Sequence, residues 1–329
     1  MSHEITSEDN LVLAGVPAWH GLGLVVEKAP TVREALKLAG LDWLVERGPM
    51  QVVGGRFDGL KVPDSVALIR EDTSRVLGVV GDGYEVLQNE DVAGLIEELA
   101  TEGACAKAES AGSIRYGRNV WFLVPRGEFT LAGADRVAEY LLFANTHDGS
   151  GAFSIVPTTI RVVCNNTLTA ALSGIKVRHS KSMPERVRSA KAALLAGDLH
   201  LKGLRAKAER MAAVPMDAAD LQAFFLKVYE ASYGVIPAKP QDAAEERRQR
   251  KAIALVSEWV ANLETPRNPG SPTAWTALNA VTEWADHKRT VRETGAVATE
   301  REARAFSRVL GSAADFKAKA LDVALAVSA

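Results

Sequence analysis

The chain has 329 residues, 47% of them apolar and 24% charged, with a formal net charge of −2, a composition ordinary for a folded globular protein. Its two cysteines, Cys105 and Cys164, form neither a disulfide framework nor a zinc pattern, so the expected setting is a reducing cytoplasm. The opening MSHEITSEDN is polar and acidic, and no apolar run approaches the ~20 residues of a membrane helix; neither a secretory leader nor a membrane span is expected.

Single cores stop growing near ~250–300 residues, so this length leaves room for two. The charges divide the same way. Residues 1–173 hold 14 Lys/Arg against 23 Asp/Glu, and residues 174–329 hold 25 against 18. The stretch 174–215 alone has 10 basic and 3 acidic residues. Such asymmetry points to a polyanionic partner; the plain alternative is a solvated helical face.

In chain order, PAWHGLG (17–23) reads as a loop anchored by Trp19, with Gly21 and Gly23 free of side-chain constraint. It lacks the Gly-Lys-Ser/Thr ending of a phosphate loop. TVREALKLAG (31–40) predicts a short helix with Thr31 as cap, Glu34 completing a capping box and Gly40 as stop. DWLVERGPMQVV, SVALIRED and RVLGVVGDGYEVL predict strands, and NEDVAGLIEELATEG (89–103) a helix with Asn89 placed to cap it. Four further strand-like runs follow, ACAKAESAGSIRYG, RNVWFLVPRG, RVAEYLLFANTHDGSGAF and SIVPTTIRVVC, separated by short turns. They predict an antiparallel meander.

Past residue 183 the apolar spacing becomes helical, with Val187, Leu194 and Leu201 at steps of seven. Helices are predicted near 217–233 and 242–264, a proline-rich loop at 265–272, and helices in TAWTALNAVTEWADHKR and TEREARAFSRVLGSAADFKAKALDVAL. The predicted fold class is α+β: a curved antiparallel sheet packed with helices over 1–182, then an all-helical region over 183–329.

Several short stretches carry possible chemistry. IRVVCNNTLTAAL (160–172) predicts a strand running into a helix, with Asn165, Asn166 and Thr167 at the joint. They would cap the helix's first N–H groups. The same N-terminus, with Arg161 beside it, would also suit a phosphate, and Cys164 with His147 as base would suit nucleophilic chemistry. NTHDGSGAF (145–153) predicts a tight hairpin loop at Asp148-Gly149; its glycine amides, Ser150 and His147 would alternatively meet a sugar-phosphate chain. SIRYGRN (113–119) predicts a hairpin tip whose Arg115 and Arg118 flank Tyr116, a set suited to phosphates and a stacked base. IKVRHSKSMPERVRSAK (175–191) gathers Lys176, Arg178, His179, Lys181, Arg186, Arg188 and Lys191. Glu283 and His287 lie four apart on a helix, as metal ligands can, but no third ligand sits at a usable spacing, and a surface pair is expected. No residue is assigned a catalytic or metal-binding role, and no cofactor is expected.

PAWHGLG, NTHDGSGAF with TTIRVVCNNTL, and TAWTALNAVTEWADH together resemble a phage/plasmid-like family catalogued as a domain of unknown function. The resemblance implies a mobile-element setting in a bacterial cytoplasm and brings no catalytic residues. The order helix, antiparallel strands, helix is also similar to the sheet core of Rad-type single-strand annealing proteins, which hold single-stranded DNA in a basic groove as rings or helical oligomers. The function expected is therefore non-enzymatic single-stranded DNA binding and annealing by a homo-oligomer in recombination or replication. The nucleic-acid set would be Arg115, Tyr116, Arg118, His147, Arg161, Asn165, Asn166, Lys176, Arg178, Lys181, Arg186 and Arg188. A protein-assembly or regulatory factor and an enzyme using Cys164 are the alternatives.

Overall fold

Thr31 and Glu34 start the first helix as their spacing predicts. The Thr31 hydroxyl accepts the Glu34 N–H, and the Glu34 carboxylate accepts the Thr31 N–H at 2.8 Å; those bonds hold the Glu34 carboxyl below its ordinary pKa. Gly40, at φ +55°, ends the turn in the left-handed region. The structure, a computed structural model, describes residues 11–14, 24–99, 106–131, 135–161, 166–169, 174–195, 198–264, 271–289 and 312–328. PAWHGLG, both cysteines, Asn165 and most of TPRNPGSP lie outside these residues.

The N-terminal half holds strands β1 (Leu11–Ala14) and β2 (Leu24–Val26), helix α1 (Val32–Leu38), and strands β3 (Val45–Gln51), β4 (Lys61–Arg70) and β5 (Arg75–Gly81). Helix α2 (Asn89–Leu99) follows, then strands β6 (Ser110–Ile114), β7 (Asn119–Leu131), β8 (Asp135–Thr146), β9 (Phe153–Arg161), β10 (Asn166–Thr169) and β11 (Ile175–Val177). β3-β4-β5 form a three-stranded antiparallel sheet. The others form an eight-stranded sheet in the order β10-β9-β8-β7-β6-β1-β2, with β11 also paired to β9. β6 to β9 make the predicted meander, β10 extends it, and β1 with β2 adds one parallel pair. The class is α+β.

Period-two alternation divides β7 between two faces. Val120, Phe122 and Val124 enter the first core with Leu141, Phe143, Phe153 and Ile155, covered by α1 and α2. Trp121 and Leu123 face the other way, against Leu142, Ala144 and Val156. The β7–β8 register shifts between Pro125 and Gly127, where proline has no N–H to give the ladder. Beyond that bulge Phe129, Leu131 and Val137 enter a second core.

The second core is helical: α4 (Asp198–Ala213), α5 (Ala218–Tyr233), α6 (Ala243–Leu263), α7 (Ala274–Glu283), a π turn at Trp284–Lys288, and α8 (Ser312–Val327). Asp217, Asp242 and Thr273 cap α5, α6 and α7. Trp259, Trp284, Phe225 and Phe316 pack edge-on or tilted with centroids 5.5–6.0 Å apart. Helix α3 (Met183–Leu195) precedes them but sends Met183, Val187 and Ala190 into the first core. It packs with the sheet half.

Two local expectations are corrected. Residues 166–169 continue no helix: Asn166, Thr167, Leu168 and Thr169 pair antiparallel with Arg161, Ile160, Thr159 and Thr158. Two threonines and a leucine suit a pleated strand, and that edge of β9 was open to pairing. Asn166 is thus a strand residue rather than the start of a helix. Glu283, read as half of a surface pair, is buried, and among the described residues no group of three or more His, Cys, Asp or Glu is placed to hold a metal.

Candidate functional site

Register brings three loops to one end of the large sheet. Ile114 pairs with Asn119, Asn119 with Thr146, Ala144 with Ser154, and Val177 with Phe153. The 115–118 tip, the 147–152 loop and the chain after Val177 therefore emerge together, across about 14 Å at ~4.8 Å per strand.

The tip is strained and braced. Arg115 and Tyr116 stand at φ 56° and 64°, with Gly117 at 90°, a region that side chains other than glycine rarely occupy. Arg70 is buried, grips Asp72 through Nε (2.7 Å) and Nη2 (2.9 Å), stacks on Trp43 at 4.5 Å and donates from Nη1 to the Tyr116 carbonyl. Arg75 lies 3.9 Å over the Tyr116 ring. A Cβ on Gly117 would come within 2.8 Å of Trp43. The Tyr116 ring is thus partly covered by a guanidinium, which corrects its reading as an open stacking platform.

His147 is buried, not presented to a phosphate. Its backbone N–H donates to the Arg118 carbonyl at 2.7 Å, and its ring meets Trp43 edge-on at 5.4 Å. Asn89, expected as a cap, spends its side chain here: Nδ2 donates to the Leu41 carbonyl, which leaves Oδ1 to accept from His147 Nε2 at 2.9 Å. Burial, with His179 nearby, pushes the His147 pKa down to about 3. The imidazole is neutral, and Nδ1 carries a bare lone pair.

A second imidazole sits beside it. His179 Nδ1 donates to the Glu85 carbonyl at 3.0 Å, its ring stacks on Tyr84 at 4.6 Å, and burial lowers its pKa. The Tyr84 hydroxyl donates to the Thr146 carbonyl at 2.9 Å; burial and then the Asp148 charge push its pKa upward. Asp148 Oδ1 accepts from the Ser150 N–H at 2.9 Å and its hydroxyl at 2.5 Å, fixing the loop as an Asx turn with Gly149 at φ +78°. This loop rides directly on β5: a Cβ on Gly78 would stand 2.5 Å from the Asp148 carbonyl oxygen.

Tyr84, loop 149–152, Arg178 and His179 line a cavity of about 390 Å³. In the same half of the molecule Trp43 Nε1, Asn119 Nδ2, Asn145 Oδ1, Thr146 Oγ1, His147 Nδ1 and His179 Nε2 are buried with no hydrogen-bond partner among the described residues; of these residues His179 lines the cavity.

The predicted residues divide between the two ends of the sheet. Arg118, Lys176, Arg178 and Lys181 are exposed around the cavity end, Arg115 and Tyr116 are half-buried there, and Arg186 and Arg188 are exposed on α3. Arg161 and Asn166 pair at the far end of β9, about 26 Å away at ~3.3 Å per residue. They do not join the cluster. Cys164 and Asn165 lie outside the described residues. Tyr84, Trp43, Arg70, Asn89 and Asn119 were not predicted as site residues. The aromatic in Asp-Gly-Tyr (82–84), beside a turn, was the available signal.

The fold and site define an α+β protein with a cavity at one sheet end. Residues 76–307 match the family described as a domain of unknown function, DUF932, and the chain belongs to that family. Every residue lining the cavity falls inside the matched span; Trp43 and Arg70 lie before it. No curated protein and no solved structure matches the chain. Among the described residues no helix is long and apolar enough to cross a membrane.

Proposed function

We propose that this protein binds single-stranded nucleic acid, DNA foremost, along the cavity end of its large sheet. It would act there without ATP as an annealing factor of a phage or other mobile element, as a homo-oligomer in the bacterial cytoplasm. The observation that carries this reading is the meeting of Arg118 with Lys176, Arg178 and Lys181, from two segments far apart in the chain, at one exposed sheet end. Two acids of this end are engaged locally, Asp72 by Arg70 and Asp148 by Ser150. Cations on a rim with a neighbouring cavity suit a backbone that is tracked while its bases stay accessible. The order helix, antiparallel strands, helix, which resembles the sheet core of Rad-type annealing proteins, supports the reading.

Titrating a labelled oligonucleotide at increasing salt tests it. Affinity must fall steeply, by ~0.7 in log K per log salt for each phosphate neutralised. Absence of binding at low salt rejects it. A protein-assembly role is the second reading, favoured by Val53, Phe57, Leu60, Val76 and Val79, exposed on the small sheet and its hairpin. It is the reading left standing if the oligonucleotide does not bind.

A further inference from the structure

Resting on that reading, we infer that the cavity is a nucleotide subsite, taking one unit of the strand with its base inside and its phosphate on Arg178. At about 390 Å³ the space falls in the range of small-molecule sites, roughly 300–1,000 Å³, and a lone phosphate leaves most of it unfilled. The lining is chemically divided. Arg178 is exposed at the mouth, where a guanidinium meets a phosphate. Deeper, the stacked Tyr84 and His179 rings form an aromatic wall, suited to the flat face of a base.

The Nδ1–H bond to the Glu85 carbonyl fixes the plane of the His179 ring in that wall. The small loop Gly149-Ser150-Gly151-Ala152 completes the lining and leaves room that larger side chains would fill. A cation and an aromatic wall around a space of this size suit a nucleotide better than a simple anion.

An oligonucleotide carrying one 2-aminopurine decides it, with anisotropy reporting binding and 2-aminopurine intensity reporting the environment of the base. The wild type should change that intensity on binding. Ala152→Trp, which fills the cavity, should remove the change and weaken binding about tenfold or more. Arg178→Gln should do the same without added bulk and stands in if the tryptophan variant misfolds. Arg118→Gln, on the rim, should weaken binding while the intensity change remains. An unaltered change in both cavity variants overturns the subsite. If the wild type binds no oligonucleotide, the rim reading fails and adenosine monophosphate tests the cavity alone by calorimetry. Heat that Ala152→Trp abolishes sustains the subsite, and no heat overturns it.

Discussion

At position 147 an imidazole occupies a place that cannot hold its charge. The unfolded chain takes up a proton there as pH falls below about 6.5, whereas the folded chain does not until about pH 3. The unfolded state therefore binds more protons across that window. Stability is complete above it and is lost as pH falls through it, at about 1.4 kcal/mol per pH unit. His147 should thus account for about 2 kcal/mol lost between pH 6.5 and 5. Urea unfolding at pH 7.5 and 5.0 should show the wild type losing more than His147→Gln by roughly that amount; equal losses would mean the ring is hydrated. In the sequence His147 stands beside Asp148-Gly149, and a polar residue at a tight turn reads as exposed. Its burial comes from Asn89, 58 residues away, and from the Trp43 ring, and no local pattern encodes either contact.

Among elements, α8 carries its own anomaly. Phe316, Ala320, Leu321 and Ala324 face the second core, and Lys317 lies on the same stripe, fully buried, with Nζ donating to Asp286 at 2.8 Å. Asp286 sits in the π turn that ends α7, where the Arg289 N–H reaches back to the Trp284 carbonyl. Burying two ions is tolerable only as a pair, so Lys317→Met should cost roughly 3–5 kcal/mol by stranding the carboxylate. Adding Asp286→Leu should restore most of it. Urea midpoints of the single and double variants check this; a mild single variant would show water reaching the carboxylate. The helix itself is legible in its period, and the lysine on its apolar stripe is a visible misfit. The π turn and the acid it presents are not. Likewise the threonines of 167–169 fit either a helix start or a strand, and the open edge of β9 decided for the strand.

Over the whole molecule, the charge asymmetry in the sequence becomes a distribution over two sheet ends. Arg118 and Arg178 reach the cavity end, whereas Arg161 sits at the other end of β9. Replacing Arg118 or Arg178 by alanine should each lower the salt slope of oligonucleotide binding by ~0.7, and Arg161→Ala should leave it unchanged. A lowered slope for Arg161→Ala in salt titrations would place the strand along β9 instead of across the loop end. The sequence by itself determined the class, the Thr31 cap, the meander and the change to helices near 183, because nearest neighbours and short periods dictate these. Only the tertiary structure decided the site. Tyr84, loop 149–152, Arg178 and His179 come from distant segments, and strand register and shared burial, which act between elements rather than along the chain, set them around one cavity.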